Sequence, residues 1–420
     1  MGKRRLAELC DVIVPMRDKP KTFVTEEEGI PWCRIEDIEG KFLNDSKSQK
    51  YVSRECIKQM RLRVFPAGTV LCAVTGASIG TYAITTTEMI TNQTFAGLVC
   101  KENLLYNEFL YYYIKMHTNT FVNNSVGCAQ AYITRETLEN IMVPDLEYEE
   151  QVQLVKVLKH IDDKIKTNYR INEELELMAR TIYDYWFLQF EFPNEEGKPY
   201  KSSGGKMVWN EKAKREIPEG WEVKKVKECI QHINTGLNPR KNFSLGDGEI
   251  KYITVKNLMT DGSIDFNSCD TIEETAKDIV HRRSDVSKGD ILFASIAPLG
   301  RCFIVQEDPE TWDINESVFS IRPNTKFVSK EYLYLFFMSE SFIKKAEYSS
   351  TGSVFSGIRI STLEDMLIIV PPEEIMDHFT RNVEDILRKK YVNMIENIDL
   401  DSLRDFLLPL LMNGEIRFEN

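Results

Sequence analysis

The sequence predicts an α+β protein in which two domains of mixed α/β content stand in pseudo-twofold repeat, separated by two long helices packed as an antiparallel coiled coil. Three observations predict it. The order of elements is written twice. Each half opens with short, glycine-bounded, β-branched runs before an aromatic helix. Each half closes on a heptad-patterned helix whose seam carries two asparagines.

The duplication sets the architecture, because collinear self-similarity over more than a hundred residues is the mark of a repeated folding unit. Residues 30–38 (IPWCRIEDI) align with 250–258 (IKYITVKNL), and 66–71 (PAGTVL) with 287–292 (SKGDIL). Gly80 then meets Gly300, Asn92-Gln93 meets Asn315-Glu316, Glu108-Phe109-Leu110-Tyr111 meets Glu331-Tyr332-Leu333-Tyr334, and Thr137-Leu138-Glu139-Asn140 meets Thr362-Leu363-Glu364-Asp365. The offset drifts only from 220 to 225, as small loop insertions would make it. A chain of 420 residues is too long for one ordinary core and comfortable for two.

Within each half, residues 69–73, 81–85, 290–294 and 301–305 are apolar or β-branched and flanked by glycine, which predicts paired strands with tight connections. Residues 107–117 and 329–339 carry aromatic and apolar side chains at helical spacing, and each half then returns to an extended stretch ending at Val143-Pro144 or Val370-Pro371. The predicted divisions are a first domain at 1–144, a helical region at 145–190, a linker at 191–220, a second domain at 221–372 and a C-terminal helical region at 373–420. The linker holds Ser202-Ser203-Gly204-Gly205 and should be the first site of proteolysis.

The first long helix has an uninterrupted seam of Leu154, Leu158, Ile161, Ile165, Asn168, Asn172, Leu175, Ala179 and Ile182, alternating steps of four and three. Adding 225 gives Phe379, Val383, Ile386, Lys390, Asn393, Asn397, Leu400, Arg404 and Leu407, so both asparagines recur. Antiparallel packing would set Asn168 opposite Asn397 and Asn172 opposite Asn393, fixing register at some cost in stability. The plainer alternative is that each helix only covers its own domain. A seam from Leu154 to Ile182 spans about 42 Å, close to one turn of duplex DNA.

Charge and chemistry narrow the function. The net charge of −12 is concentrated in the helical regions: 145–190 carry 6 basic against 10 acidic residues and 373–420 carry 6 against 11, whereas 1–144 carry 17 against 16. Acid there suits protein partners better than DNA. Nine scattered cysteines without a Cys-x-x-Cys pair, and a charged start without an apolar leader, predict a reduced, cytoplasmic protein. No membrane partner is expected, since the longest apolar runs, 366–370 and 406–412, fall far short of the roughly 20 residues that a span needs. No phosphate loop is present, Gly204-Gly205-Lys206-Met207 lacking both the first glycine and the hydroxyl, and there is no Asn/Asp-Pro-Pro-Tyr/Phe motif. Pro144-Asp145-Leu146-Glu147 lacks a following nuclease lysine and reads as a helix start, where acids suit the dipole. The five histidines show no metal-ligand spacing. No catalytic residue, metal site or cofactor is therefore expected in this chain.

In its repeated order of domain then helix, the chain resembles the specificity (S) subunits of type I restriction-modification systems along essentially its whole length. The resemblance rests also on Ile217-Pro218-Glu219-Gly220-Trp221, on Lys288-Gly289-Asp290-Ile291-Leu292, and on the helix ends 180–187 (RTIYDYWF) and 403–414 (LRDFLLPLLMNG). One departure is Pro66-Ala67-Gly68-Thr69, where the family often carries Lys-Gly-Asp; this removes the charge and keeps the turn.

The resemblance implies two target-recognition domains, each reading one half of a bipartite double-stranded DNA target, with the helices as spacer and docking site. The implied partners are two modification (methyltransferase) subunits, which methylate an adenine in each half, and the restriction (translocase-nuclease) subunits. S-adenosylmethionine, ATP and Mg are expected in those partners. Two alternatives stay open: a recognition subunit of a type II system with a fused methyltransferase-nuclease, and a non-DNA coiled-coil scaffold.

Candidate DNA contacts are loop side chains. Arg17, Lys19 and Lys21 surround Pro20, and Arg240-Lys241 follow Pro239 at the corresponding place. Arg61 and Arg63, and Arg282-Arg283, precede the Gly68 and Gly289 turns. Gln130 and Tyr132, and Ser353, Ser356 and Arg359, lie in glycine-flanked loops that can present donors and acceptors to base edges. Solvated surface charge is the plainer account of any one of them. Because the two sets of loops differ, the target is expected to be asymmetric.

Overall fold

The computed structural model describes residues 2–14, 19–46, 49–123, 132–349 and 357–416. The chain divides into two compact units, Met1–Ile165 with Asp399–Asn420, and Lys166–Ile398. This division cuts both long helices within their length, so each unit holds one domain together with a stretch of both helices.

In the first unit, strand β1 (Lys3–Arg5) leads through α1 (Leu6–Leu9) into β2 (Cys10–Ile13), β3 (Gly29–Cys33), β4 (Phe42–Leu43) and β5 (Tyr51–Ser53). Helix α2 (Arg54–Met60) precedes β6 (Val70–Ala73), β7 (Tyr82–Thr85), β8 (Ile90–Thr91) and β9 (Phe95–Cys100). Then come α3 (Asn107–Met116), α4 (Thr118–Asn123), α5 (Arg135–Glu139), β10 (Met142–Pro144) and the long helix α6 (Tyr148–Tyr183). The sheets are β2-β9-β6-β7-β4, β5-β3-β8 and a β1-β10 ladder. Helix α3 packs on β6 and β7 because its run Phe109, Leu110, Tyr111, Tyr112, Tyr113 and Ile114 is buried throughout.

The second unit opens with β11 (Met207–Asn210) and β12 (Arg215–Pro218), followed by β13 (Glu222–Lys225), β14 (Ile230–Thr235), β15 (Ile250–Ile253) and β16 (Asp270–Ile272). After α7 (Glu274–Ser284) come β17 (Ile291–Ala294), β18 (Cys302–Ile304), β19 (Trp312–Ile314) and β20 (Val318–Pro323). Helices α8 (Lys330–Met338), α9 (Glu340–Ser349) and α10 (Ile360–Asp365), strand β21 (Leu367–Val370) and helix α11 (Glu373–Met412) complete it. The sheets β14-β20-β17-β18, β16-β15-β19 and β13-β21 repeat those of the first unit, including the parallel β3·β8 and β15·β19 pairs, except that the edge strand β4 has no counterpart. Gly68 (φ 82°) and Gly289 (φ 92°) open β6 and β17 in the same left-handed turn, the conformation glycine adopts without steric cost.

The repeat extends to which buried pairs change together. Asp290 is fully buried and accepts from Ser287 N at 2.9 Å, Ser320 Oγ at 3.0 Å and Arg322 Nε at 2.8 Å. The register of β6·β9 and β17·β20 puts Thr69 and Val99 at those two places in the first unit. Likewise His281 Nδ1 lies 3.0 Å from the buried Asp313, where the first unit has Ile57 and Ile90. Each unit thus keeps or drops a polar pair whole, which avoids a buried charge without a partner.

The long helices meet within the second unit through their asparagines. Asn168 Nδ2 donates to Asn397 Oδ1 at 2.8 Å and Asn393 Nδ2 to Asn172 Oδ1 at 2.9 Å, with all four side chains buried. One helix number rises as the other falls, so the pair is antiparallel. Asn172 Nδ2 also donates to Lys390 O at 3.1 Å.

Residues 191–220, the expected linker, carry packed elements of their own. Phe192 stacks on Tyr200 at 4.5 Å, both Phe190 and Phe192 lie against Trp221, and the β11–β12 hairpin follows. Arg215 Nη2 donates to Leu188 O at 2.9 Å beneath a cation–π contact with Phe190. The glycine and serine content marked the exposed turn at 201–204, whereas Phe190, Phe192, Tyr200 and Trp221 pack together at the base of the segment.

Candidate nucleic-acid interface

The candidate cations fall at three places along the repeat: the loop after β2 and β14, the end of α2 and α7, and the turns after β6 and β17. The first follows β2 and β14. Lys19 and Lys21 are exposed between β2 and the turn at Glu26–Glu28. In the second unit Pro239 O accepts from Asn242 N at 2.6 Å and Phe243 N at 3.3 Å, which lifts Arg240 (φ 26°) and Lys241 to an exposed apex. Phe243 rests on Tyr252, whose hydroxyl donates to Leu237 O at 2.5 Å, so the base of this loop is fixed.

The second position is the end of α2 and of α7, and here the two units are not equivalent as the sequence implied. Arg61 (φ 52°) is the left-handed cap of α2, its N–H bonded to Ile57 O; the same cap on α7 is Asp285 (φ 46°), bonded to His281 O at 2.8 Å. Arg282 and Arg283 lie instead in the last helical turn, opposite Lys58 and Gln59, where cations also complement the helix dipole. A three-residue difference in the connection to the Gly68 and Gly289 turns produced the apparent match. Glycine is the residue that costs least at a left-handed cap, so a cation there in one unit and an anion in the other marks a position where side-chain chemistry outweighs backbone ease. Asp285 pairs with Arg322 at 3.2 Å, while Arg61 and Arg63 are exposed.

The third position gathers the β6–β7 and β17–β18 turns with the segment returning from α4 and α9. Thr75 bridges Tyr132 and Ile296 bridges Gly357, matching contacts of the two repeats. Tyr132 is 39% exposed, and Arg359 is exposed at the start of α10. Arg17, Gln130, Ser353 and Ser356 lie outside the described residues. Arg301, missed from sequence alone, follows Gly300 in this turn; its Nη1 donates to Val255 O at 3.3 Å. Its signal was a cation directly after a repeat-matched glycine, where the first unit has Thr81.

Among the described residues, Lys19, Lys21, Arg61, Arg63, Arg240, Lys241, Arg282, Arg283 and Arg359 are all exposed, and none forms a salt bridge there. The cations that hold the fold, Lys41, Arg322, Lys390 and Arg404, are largely buried and paired. Exposed cations without internal partners are free to meet phosphate or base edges. No group of His, Cys, Asp and Glu among the described residues could hold a metal ion, and no described helix is long and apolar enough to cross a membrane.

The type I restriction modification DNA specificity domain family matches the chain at residues 1–177 and 218–396, once per repeat. The specificity subunit of the type I restriction enzyme MjaIX of Methanocaldococcus jannaschii is 28% identical over 408 residues, covering 95% of this chain and 90% of the relative. The HindI specificity subunit of Haemophilus influenzae is 23% identical over 366 residues, covering 75% and 78%. The crystal structure of the type I system S subunit from M. genitalium shares the fold, with a TM-score of 0.54 and 15% identity over 98% of this chain and 96% of that one. With its duplicated fold and both repeats matched, the chain belongs to the DNA specificity subunits of type I restriction-modification systems.

Proposed function

We propose that the chain is the non-catalytic reader of an asymmetric, bipartite DNA target, acting in the cytoplasm, with one recognition domain on each half. The observation that carries this is one framework bearing different surface chemistry: the helix cap is Arg61 in one unit and Asp285 in the other, and the loop cations sit at shifted places. A shared frame with unlike contacts reads two unlike sequences. The helices serve as spacer and as docking surface for two modification subunits, which supply S-adenosylmethionine and methylate an adenine in each half; restriction subunits supply ATP, Mg and cleavage. Each unit offers an equivalent apolar contact: Met178 is 51% exposed and Leu403, 225 residues on, 45% exposed.

Methylome sequencing of a cell expressing this chain with its modification subunit is the test. A two-part, non-palindromic motif is expected; a palindromic motif would refute the reading. In the reconstituted complex, Arg282→Ala with Arg283→Ala should weaken binding to all sequences alike and lower the slope of log affinity on log salt by about 0.9 for each phosphate no longer neutralised; removing a side chain that touches a base relaxes one position by roughly 1–3 kcal/mol instead. Met178→Asp and Leu403→Asp should each remove one modification subunit, read as complex mass by native mass spectrometry.

A further inference from the structure

Each domain rests on the helices of its own unit through a buried polar contact, and the two contacts are built from different side chains. In the first unit the connection between the turn Ile35–Asp37 and β4 supplies a lysine to the domain's own helix α3. Lys41 Nζ pairs with the buried Glu108 of α3 and donates to Tyr112 Oη at 3.2 Å. Glu108 is reached from α6 by Lys159 at 3.8 Å; burial raises its pKa, but the bonds from Lys41 and Tyr106 outweigh this and hold it below the usual value. Tyr112 donates onward to Asp162 of α6, which Arg404 of α11 meets at 3.3 Å.

In the second unit the same connection, after the turn Val255–Asn257, offers only backbone carbonyls, and the helices supply the cations. Lys390 Nζ donates to Asp261 O and pairs with Glu176 at 2.5 Å, while Arg180 Nη2 donates to Thr260 O at 3.5 Å. Lys390 and Glu176 are 7% and 9% exposed. Gly262 lies so close to Tyr334 Oη that an added Cβ would fall 2.0 Å away.

The helix positions facing the domains correspond at an offset of 225, and their chemistry does not. Lys159, Asp162, Ile165, Arg404 and Asp405 in the first unit become Glu384, Leu387, Lys390, Ala179 and Arg180 in the second. Moving the first domain to the second position would set Glu384 beside Glu108, leave the buried Tyr112 hydroxyl facing Leu387, and bring Lys41 onto the face carrying Lys390. Moving the second domain to the first position would set the carbonyls of Thr260 and Asp261 against Ile165 and Asp405. Each exchange removes a partner from a buried polar group, which is how an interface rejects the wrong occupant.

We infer that the two recognition domains are keyed to their positions by these unlike contacts, so that Lys41 with Glu108 and Tyr112, and Lys390 with Glu176, are positioning residues that fix the order in which the half-targets are read. The inference rests on the recognition role proposed above for its consequence, and not for its structural content. The test is a full-length chain in which residues 1–144 also replace 221–372, made with and without Ala179→Arg, Glu384→Lys, Leu387→Asp and Lys390→Ile.

The uncompensated chimera is expected to melt on the order of 10 °C below the parent and to be cut rapidly in its second domain by protease, with both properties recovering in the compensated chimera. Equal stability of the uncompensated chimera and the parent would overturn the key, as would two chimeras equally unstable. The methylome then separates the two ideas: a compensated chimera that folds, joins its modification subunits and still marks the parental motif refutes the recognition role and leaves the key standing.

Discussion

Arg322→Val is expected to destabilise the second unit by about 3–5 kcal/mol, and adding Asp290→Thr to return most of that loss. Asp290 is fully buried and Arg322 only partly exposed. Removing the guanidinium leaves a carboxylate in the core with only Ser287 N and Ser320 Oγ to hold it. It also strips the bonds that Arg322 Nη2 makes to Asp285 O and Ser287 Oγ, each 2.6 Å. The double change installs the pair that the chain already uses in its first unit, where the Thr69 hydroxyl donates to Pro66 O at 2.7 Å and Val99 lies opposite. At about 2–4 °C per kcal/mol for a unit of this size, the single variant should melt roughly 6–20 °C low and the double within a few degrees of the parent. Thermal or urea denaturation reads both. A double variant as unstable as the single would show that the first unit's solution depends on more than these two positions.

That pair also shows what was legible in the sequence. The repeat, the aromatic helices and the seam were readable because each is a periodic or collinear signal: Asn168 and Asn172 stand on a strict heptad, and the structure sets them against Asn397 and Asn393. The buried pairs carry no period. Asp290 and Arg322 are 32 residues apart, and Lys390 and Glu176 are 214 apart, so only strand register and helix packing bring them together. Lys390 itself left a trace, a lysine on a seam where its counterpart is Ile165, and that irregularity marks where the helix contacts its domain. At 191–220 serine and glycine mark the exposed turn at 201–204, while the contacts of Phe190, Phe192 and Tyr200 with one another and Trp221 carry no period that the sequence displays. The candidate DNA contacts were least legible, because exposed cations follow neither a core pattern nor a fixed register; the shift between Arg61 and Arg282 appears only once both helix caps are located.

Glu176→Leu is expected to cost about 3–5 kcal/mol by stranding the ammonium of Lys390, which is 7% exposed and would keep only the Asp261 carbonyl. Arg180 and Tyr334 lose the same acceptor, at 2.7 Å and 3.4 Å. Adding Lys390→Met removes the stranded charge and should return stability to within about 1 kcal/mol of the parent, since an apolar pair of similar volume replaces a buried ion pair at little or no cost. Stability and positioning then separate. The double variant has a sound core and no helix cation on Asp261 O, so the amides of Met259 and Gly262, which close the 259–263 turn, should exchange with solvent faster than in the parent at equal global stability. Unchanged protection there would mean that the contact of Gly262 with Tyr334 holds the connection by packing alone. Faster exchange would mean that the ion pair contributes little net stability and instead fixes where the second domain sits on its helices, which is the role a buried charge fills better than the hydrophobic residue that could replace it.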